Sequence, residues 1–264
     1  MTKPAGRAGA VIEVSALTKR FGEDNGRSTL ALAGIDLRIE AGEFTCILGS
    51  TGCGKTTFLR LLSGLIKPSS GSLTINGDCP GNNPIDIGYV FQQNALFPWR
   101  TVLDNVCFGL EVRGWKRAKA VERAMECLES VKLASAAKAY PYELSGGMQQ
   151  RAAIARAIAY SPSLLLMDEP FGALDERTRA ILQHEVLSIW ERTGATVVFV
   201  THNIEEAILL GQKIVMLSSS PGRIHRVINS TLKRPRDKMS AEFVEALLDV
   251  RKSYEESIAV HATT

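Results

Sequence analysis

The sequence predicts an α/β fold with a mainly parallel sheet, an antiparallel β subdomain near the N-terminus and an inserted helical subdomain. Three observations carry this. Phe44–Leu48 is a short apolar run that enters a glycine-rich turn, and Thr57–Leu65 beyond it sets Phe58, Leu59, Leu61, Leu62 and Leu65 on one helical face. Leu164–Met167 and Thr196–Val200 are continuous apolar runs, the pattern of parallel strands covered on both faces. Ile12 and Val14, then Ile35, Leu37 and Ile39, alternate with polar residues, as half-buried antiparallel strands do.

Taken in order, residues 1–10 are small and polar and read as a disordered tail without the apolar centre of a signal peptide. Leu73 and Ile75 followed by Asn76-Gly77 signal a strand and a hairpin turn. Ile87–Phe91 is a further strand, ending at Gln92. From about 102 to 160 the pattern turns helical: Val121, Ala124, Met125, Leu128 and Val131 fall at helical spacing, and Gly146–Tyr160 is rich in Ala, Gln and Arg. Ser145 is an N-cap, and Ser161-Pro162 stops that run. Arg177–Trp190 is a helix between the two buried strands. Asn203 and Glu206 form a capping box for another helix, and Gly211 ends it. Lys213–Leu217 and Ile224–Ile228 are strands, and Glu242–Leu248 is a short amphipathic helix in an extension spanning 229–264.

A chain of 264 residues, 45% hydrophobic and 22% charged, suits one domain, with room for two lobes. No apolar run approaches the ~18 residues of a membrane span. A net charge of +3 gives no case for nucleic-acid binding. The local basic runs, Arg113–Lys119 and Lys233-Arg234-Pro235-Arg236, read as solvated surface. The five cysteines (Cys46, Cys53, Cys79, Cys107, Cys127) are scattered without CxxC spacing, which points to a reduced compartment and against zinc.

The chemistry concentrates in three motifs. Gly49-Ser50-Thr51-Gly52-Cys53-Gly54-Lys55-Thr56 is a complete GxxxxGK(S/T) phosphate loop between strand and helix. Its backbone N–H groups form an anion nest, Lys55 reaches β- and γ-phosphates and the Thr56 hydroxyl is a magnesium ligand. Cys53 in that nest is expected to be a reactive thiolate. Second, the run Leu164–Met167 ends in Asp168-Glu169. A carboxylate at that strand edge can hold magnesium through water, and the next one can act as general base. Third, Leu144-Ser145-Gly146-Gly147-Met148-Gln149-Gln150 opens a helix with a second potential anion site.

Together these motifs, with Thr201-His202 after them, resemble the nucleotide-binding subunit of ATP-binding cassette (ABC) transporters over about residues 11–228. The resemblance implies a P-loop NTPase core that binds ATP and Mg2+ and acts as a head-to-tail homodimer. Thr57 joins the loop residues at the nucleotide, and Phe21 stacks on adenine. Ser145, Gly146, Gly147 and Gln149 bind the partner subunit's ATP, and Asp175 lies in the dimer-crossing loop. Asp168, Thr56 and Gln92 serve the metal, and Lys55, Glu169, Gln92 and His202 serve catalysis. The partners it implies are transmembrane permease subunits and, indirectly, an external solute-binding protein, with the chain at the cytoplasmic face of the bacterial inner membrane. Phe97-Pro98-Trp99-Arg100-Thr101-Val102 and Ser220-Pro221-Gly222-Arg223-Ile224 resemble importers of nitrate, sulfonates and taurine. Leu96, Phe97 and Trp99 are expected to form a permease contact patch. A non-transport ABC-type ATPase and a metabolic P-loop kinase are the competing readings. The first usually carries tandem cassettes or coiled coils, and the second has no use for the LSGGMQQR helix.

Overall fold

The structure, a computed structural model, describes residues 9–22, 28–81 and 86–259. The expected tail falls mostly on residues 1–8, outside the described residues. Ala10, at its end, is fully buried and its carbonyl accepts a 2.6 Å hydrogen bond from the Thr196 hydroxyl. The chain divides into two compact units: residues 86–195, and residues 9–81 with 196–259.

In the second of these units the N-terminal alternation produces β1 (Ile12–Phe21) and β2 (Thr29–Ile39). They pair antiparallel, and β4 (Ser70–Ile75) joins the other edge of β1. Asn76 and Gly77 then turn the chain with φ of 53° and 85°, the pair of left-handed residues that a tight hairpin needs. β3 (Phe44–Leu48) is buried at every position. It pairs parallel with β7 (Thr196–Thr201), also wholly buried, and with β8 (Lys213–Leu217). β9 (Ile224–Asn229) closes this edge antiparallel to β8. Phe44 and Phe199 meet between β3 and β7 with ring centroids 6.0 Å apart. Burial of each such side chain contributes about 1.5–3 kcal/mol. Among the described residues this unit has the helices α1 (Lys55–Leu62), α6 (Ile204–Leu210) and α7 (Ala241–Ala259). α7 runs eleven residues past the expected Leu248.

The unit 86–195 holds β5 (Ile87–Val90) parallel to β6 (Leu164–Asp168), and four helices. These are α2 (Val102–Val112), α3 (Arg117–Ser130), α4 (Gly146–Ile158) and α5 (Glu176–Thr193). It is wider than the helical segment 102–160 and includes two strands. Helix α4 lies close on β5 because Gly88 has no side chain: a Cβ there would stand 2.5 Å from the Ala157 carbonyl oxygen. Side chains cap the helices where the sequence offers them: Thr101 for α2, Ser145 for α4 and Asp175 for α5. On α3 the buried stripe is Ala120, Ala124, Cys127 and Leu128, while Val121 and Met125 are half-buried.

The two basic runs are not merely solvated. Arg117 pairs with Asp104 and Glu111, and the Arg113 guanidinium stacks 3.7 Å over the Tyr160 ring. Arg234 and Arg236 are half-buried and donate to backbone carbonyls at the end of α6.

Candidate functional site

The phosphate loop occupies the six residues between β3 and α1. Gly52 at φ 83° and Gly54 at φ 99° supply backbone that L-residues disfavour. Gly54 is the N-cap of α1 and makes no side-chain cap hydrogen bond, and a helix start of this kind favours an anion. Lys55 is only 5% exposed, and its ammonium donates to the Gly49 and Ser50 carbonyls at 2.9 and 2.8 Å. A cation is thereby held inside a ring of backbone. Thr51 and Gly52 are exposed at the tip, and Ser50, Thr56 and Thr57 are half-buried.

Cys53 departs from expectation. It is 1% exposed, and its Sγ occupies the room left by Gly49, where a Cβ would lie 2.6 Å away. The thiol is therefore buried beside Gly49 rather than open to solvent at the nest, where the sequence predicts a reactive thiolate.

Sequence reasoning missed the brace behind this loop. Gly222 exchanges backbone hydrogen bonds with Ala31 and Ala33, each 3.0 Å, and a Cβ on it would stand 2.1 Å from the Cys53 carbonyl oxygen. Ser220 adds a 3.4 Å bond to the Gly52 carbonyl. The Ser-Pro-Gly signal is legible as a turn and as a subfamily mark, but not as a support.

The same unit carries His202 and Phe21. His202 is exposed, one residue past β7. Thr201 before it donates to Glu206 at 2.6 Å, and Asn203 after it caps α6 by accepting from the Glu206 N–H. The expected capping box is thus half formed, since the Glu206 carboxylate bonds Thr201 rather than the Asn203 N–H. Phe21 ends β1, 41% exposed, with the Lys19 ammonium 5.1 Å over its ring.

In the unit 86–195, Asp168 ends β6 at 4% exposure. Glu169 follows with φ 44°, a left-handed conformation that costs a non-glycine residue about 1–3 kcal/mol and concentrates at functional sites. Gln92 is exposed at a bend two residues past β5. Ser145 accepts from the Met148 N–H at 3.4 Å. Gly146 has open space around it, whereas a Cβ on Gly147 would meet the Thr178 methyl at 2.6 Å. The Gln149 side chain is engaged with its own loop, donating to the Pro141 and Leu144 carbonyls. Asp175 accepts from the Thr178 N–H at 2.9 Å, which holds its carboxyl below the ordinary range.

In the expected contact patch the Phe97 and Trp99 rings meet, with centroids 5.7 Å apart. Phe97 packs edge-on against Phe108 at 4.8 Å and lies near the Arg100 and Arg156 guanidiniums. Trp99 is 73% exposed. Asn105, fully buried, ties this segment together: its amide donates to the carbonyls of Phe97, Arg100 and Thr101, and its oxygen accepts from the Phe97 N–H.

These residues fit a nucleotide with magnesium. Among the described residues no group of three or more His, Cys, Asp or Glu side chains could hold a metal by itself. Thr56 offers a hydroxyl and Asp168 a carboxylate, oxygen donors that magnesium accepts when it arrives with phosphates and keeps water.

Residues 32–172 match the family model described as ABC transporter. An uncharacterized ABC transporter ATP-binding protein of Methanocaldococcus jannaschii is 48% identical over 89% of this chain and 87% of its own length. An aliphatic sulfonates import ATP-binding protein of Bacillus thuringiensis subsp. konkukian is 41% identical, covering 92% and 96%. A nitrate import ATP-binding protein of Synechocystis is 43% identical, covering 86% and 84%. Among solved structures, a dimeric ATP-binding cassette in a post-hydrolysis state with ADP and phosphate superposes with a TM-score of 0.75 at 33% identity, covering 83% of this chain and 98% of that one. With a phosphate loop, a carboxylate pair at a strand end and a Ser-Gly-Gly helix start on the same chain, the match is one of chemistry as well as of sequence, and the chain belongs to the ATP-binding subunits of the ABC transporter family.

Proposed function

We propose that this chain is the ATP-hydrolysing subunit that drives a separate permease in an importer of small anionic or zwitterionic solutes such as nitrate, sulfonates or taurine. The observation that carries it is the buried Lys55 ammonium at the start of α1, where no side chain caps the helix. Residues 11–228 are read as the ATPase domain and 229–264 as an extension. No helix among the described residues is long and apolar enough to cross a membrane, so attachment to the cytoplasmic face of the plasma membrane is assigned to the permease, with Trp99 as a contact.

The roles are those that the resemblance to ABC ATPases implies. Lys55 and the loop N–H groups bind the phosphates, and Phe21 stacks on adenine. Thr56, Asp168 and Gln92 hold magnesium, which when bound neutralises charge on the transferring phosphoryl group. Glu169 takes the proton of the attacking water, and His202 steadies the γ-phosphate. In the homodimer, Ser145, Gly146 and Gly147 of one subunit grip the nucleotide of the other, and Asp175 lies at the interface. Replacing Glu169 by Gln keeps shape and removes the base. Glu169→Gln is expected to bind ATP normally, to accumulate as an ATP-bound dimer in light scattering, and to turn over about 100-fold or more slowly. Turnover within a few-fold of the parent would remove Glu169 from that role.

A further inference from the structure

Helix α6 has seven residues, too few to persist without anchors at both ends. Its last four carbonyls lack intrahelical donors, as in any helix. The Ala207 carbonyl receives the Gly211 N–H at 2.9 Å. The other three are met from the C-terminal extension. Arg236 donates to the Ile208 and Leu209 carbonyls and, at 2.6 Å, to that of Gly211, while Arg234 donates to those of Leu209 and Leu210. Two guanidiniums thus sit on the negative end of one short helix. Burial and the neighbouring Arg234 charge hold Arg236 down to about 10, so it remains charged at neutral pH.

The other end of α6 is tied to the residues that flank His202. Thr201 bonds the Glu206 carboxylate and Asn203 accepts from the Glu206 N–H. Glu206 through Leu210 are all buried. A shift of α6 therefore carries both neighbours of His202 with it.

We infer that Arg234 and Arg236 are positioning residues for His202, acting through α6, so that the extension beyond the ATPase core sets the place of that histidine. This rests on the role given to His202 above. Neither arginine touches nucleotide. A misplacement of ~1 Å at reacting groups costs up to about 100-fold in turnover.

The test is a double-mutant cycle on the full chain, following ATP turnover, the KM for ATP and the melting temperature. Arg236→Gln is expected to lower kcat about tenfold and Arg234→Gln about threefold, each with KM within about twofold of the parent. Arg236→Lys keeps the charge but cannot span several carbonyls, and it is expected to behave like Arg236→Gln. In the His202→Ala background the same substitutions are expected to lower kcat no further. Losses that persist undiminished in that background would overturn the clamp while leaving His202 in its role. Wild-type turnover in His202→Ala alone would overturn the role of His202 and the clamp with it. If Arg236→Gln lowers the folded fraction, the cycle on Arg234→Gln decides.

Discussion

Two helices in this molecule begin at glycines, and the glycines serve opposite ends. At the start of α1, Gly52 and Gly54 lie at positive φ and shape the backbone itself. At the start of α4, Gly146 and Gly147 lie outside the left-handed region, so neither is needed for conformation. Gly147 is there for room beside Thr178, and Gly146 faces open space. The caps differ in the same sense. α1 has no side-chain cap and holds a buried lysine one residue in, whereas α4 closes one of its own donors with Ser145. The first start is a nest with its counter-charge supplied. The second is a partly self-satisfied edge, suited to gripping a ligand already held elsewhere.

The largest expected effect falls on the nest. Lys55→Ala removes the cation and is expected to weaken ATP binding by about 100-fold or more, since charge-assisted bonds are worth ~1.5–3 kcal/mol each. Titration with a fluorescent ATP analogue reads this directly. An affinity within about threefold of the parent would show that the backbone N–H groups suffice without Lys55.

Next comes the crowded glycine of α4. Gly147→Ala is expected to destabilise the chain by about 1–3 kcal/mol, because the new methyl meets the Thr178 methyl. Adding Thr178→Ser removes that methyl and leaves the Oγ, which would be 4.0 Å from the new Cβ. The double variant is expected to recover most of the loss in a denaturant melt. Failure to recover would mean that Gly147 is required for something other than room.

The contrast explains what the sequence disclosed. Features set by local backbone demands were legible: β3 with its loop and α1, the buried β6 and β7, the Asn76-Gly77 turn, and the caps at Ser145 and Gly211. Features set by what a distant segment occupies were not. Cys53 turns inward because Gly49 leaves it space, and Gly222 supports the loop from far along the chain. The full length of α7 was hidden because its inward face past Val250 is Ser253 and Ser257, small and polar where a periodicity reading looks for apolar residues. Arg234 and Arg236 looked like solvated charge because their acceptors are carbonyls of a helix some twenty-five residues earlier. The resemblance sets Gln149 at the partner subunit's nucleotide, and in the single chain its side chain donates to the Pro141 and Leu144 carbonyls.

The smallest effect separates stability from function at the other glycine. Gly146 stands at the first position of α4, outside the left-handed region, and a methyl added there would meet nothing within 4 Å. Alanine there loses less chain entropy on folding, and Gly146→Ala is expected to stabilise the free chain by about 0.4–1 kcal/mol. For a protein of this size that raises the melting temperature by roughly 2–4 °C at most. If Gly146 is glycine only by default, turnover should be unchanged or improved. If it is glycine so that the backbone can approach a phosphate across the dimer, the same variant should melt higher yet hydrolyse ATP at least about tenfold more slowly, with nucleotide binding by the isolated subunit intact. A gain in melting temperature with full turnover would place Gly146 outside the hydrolytic site.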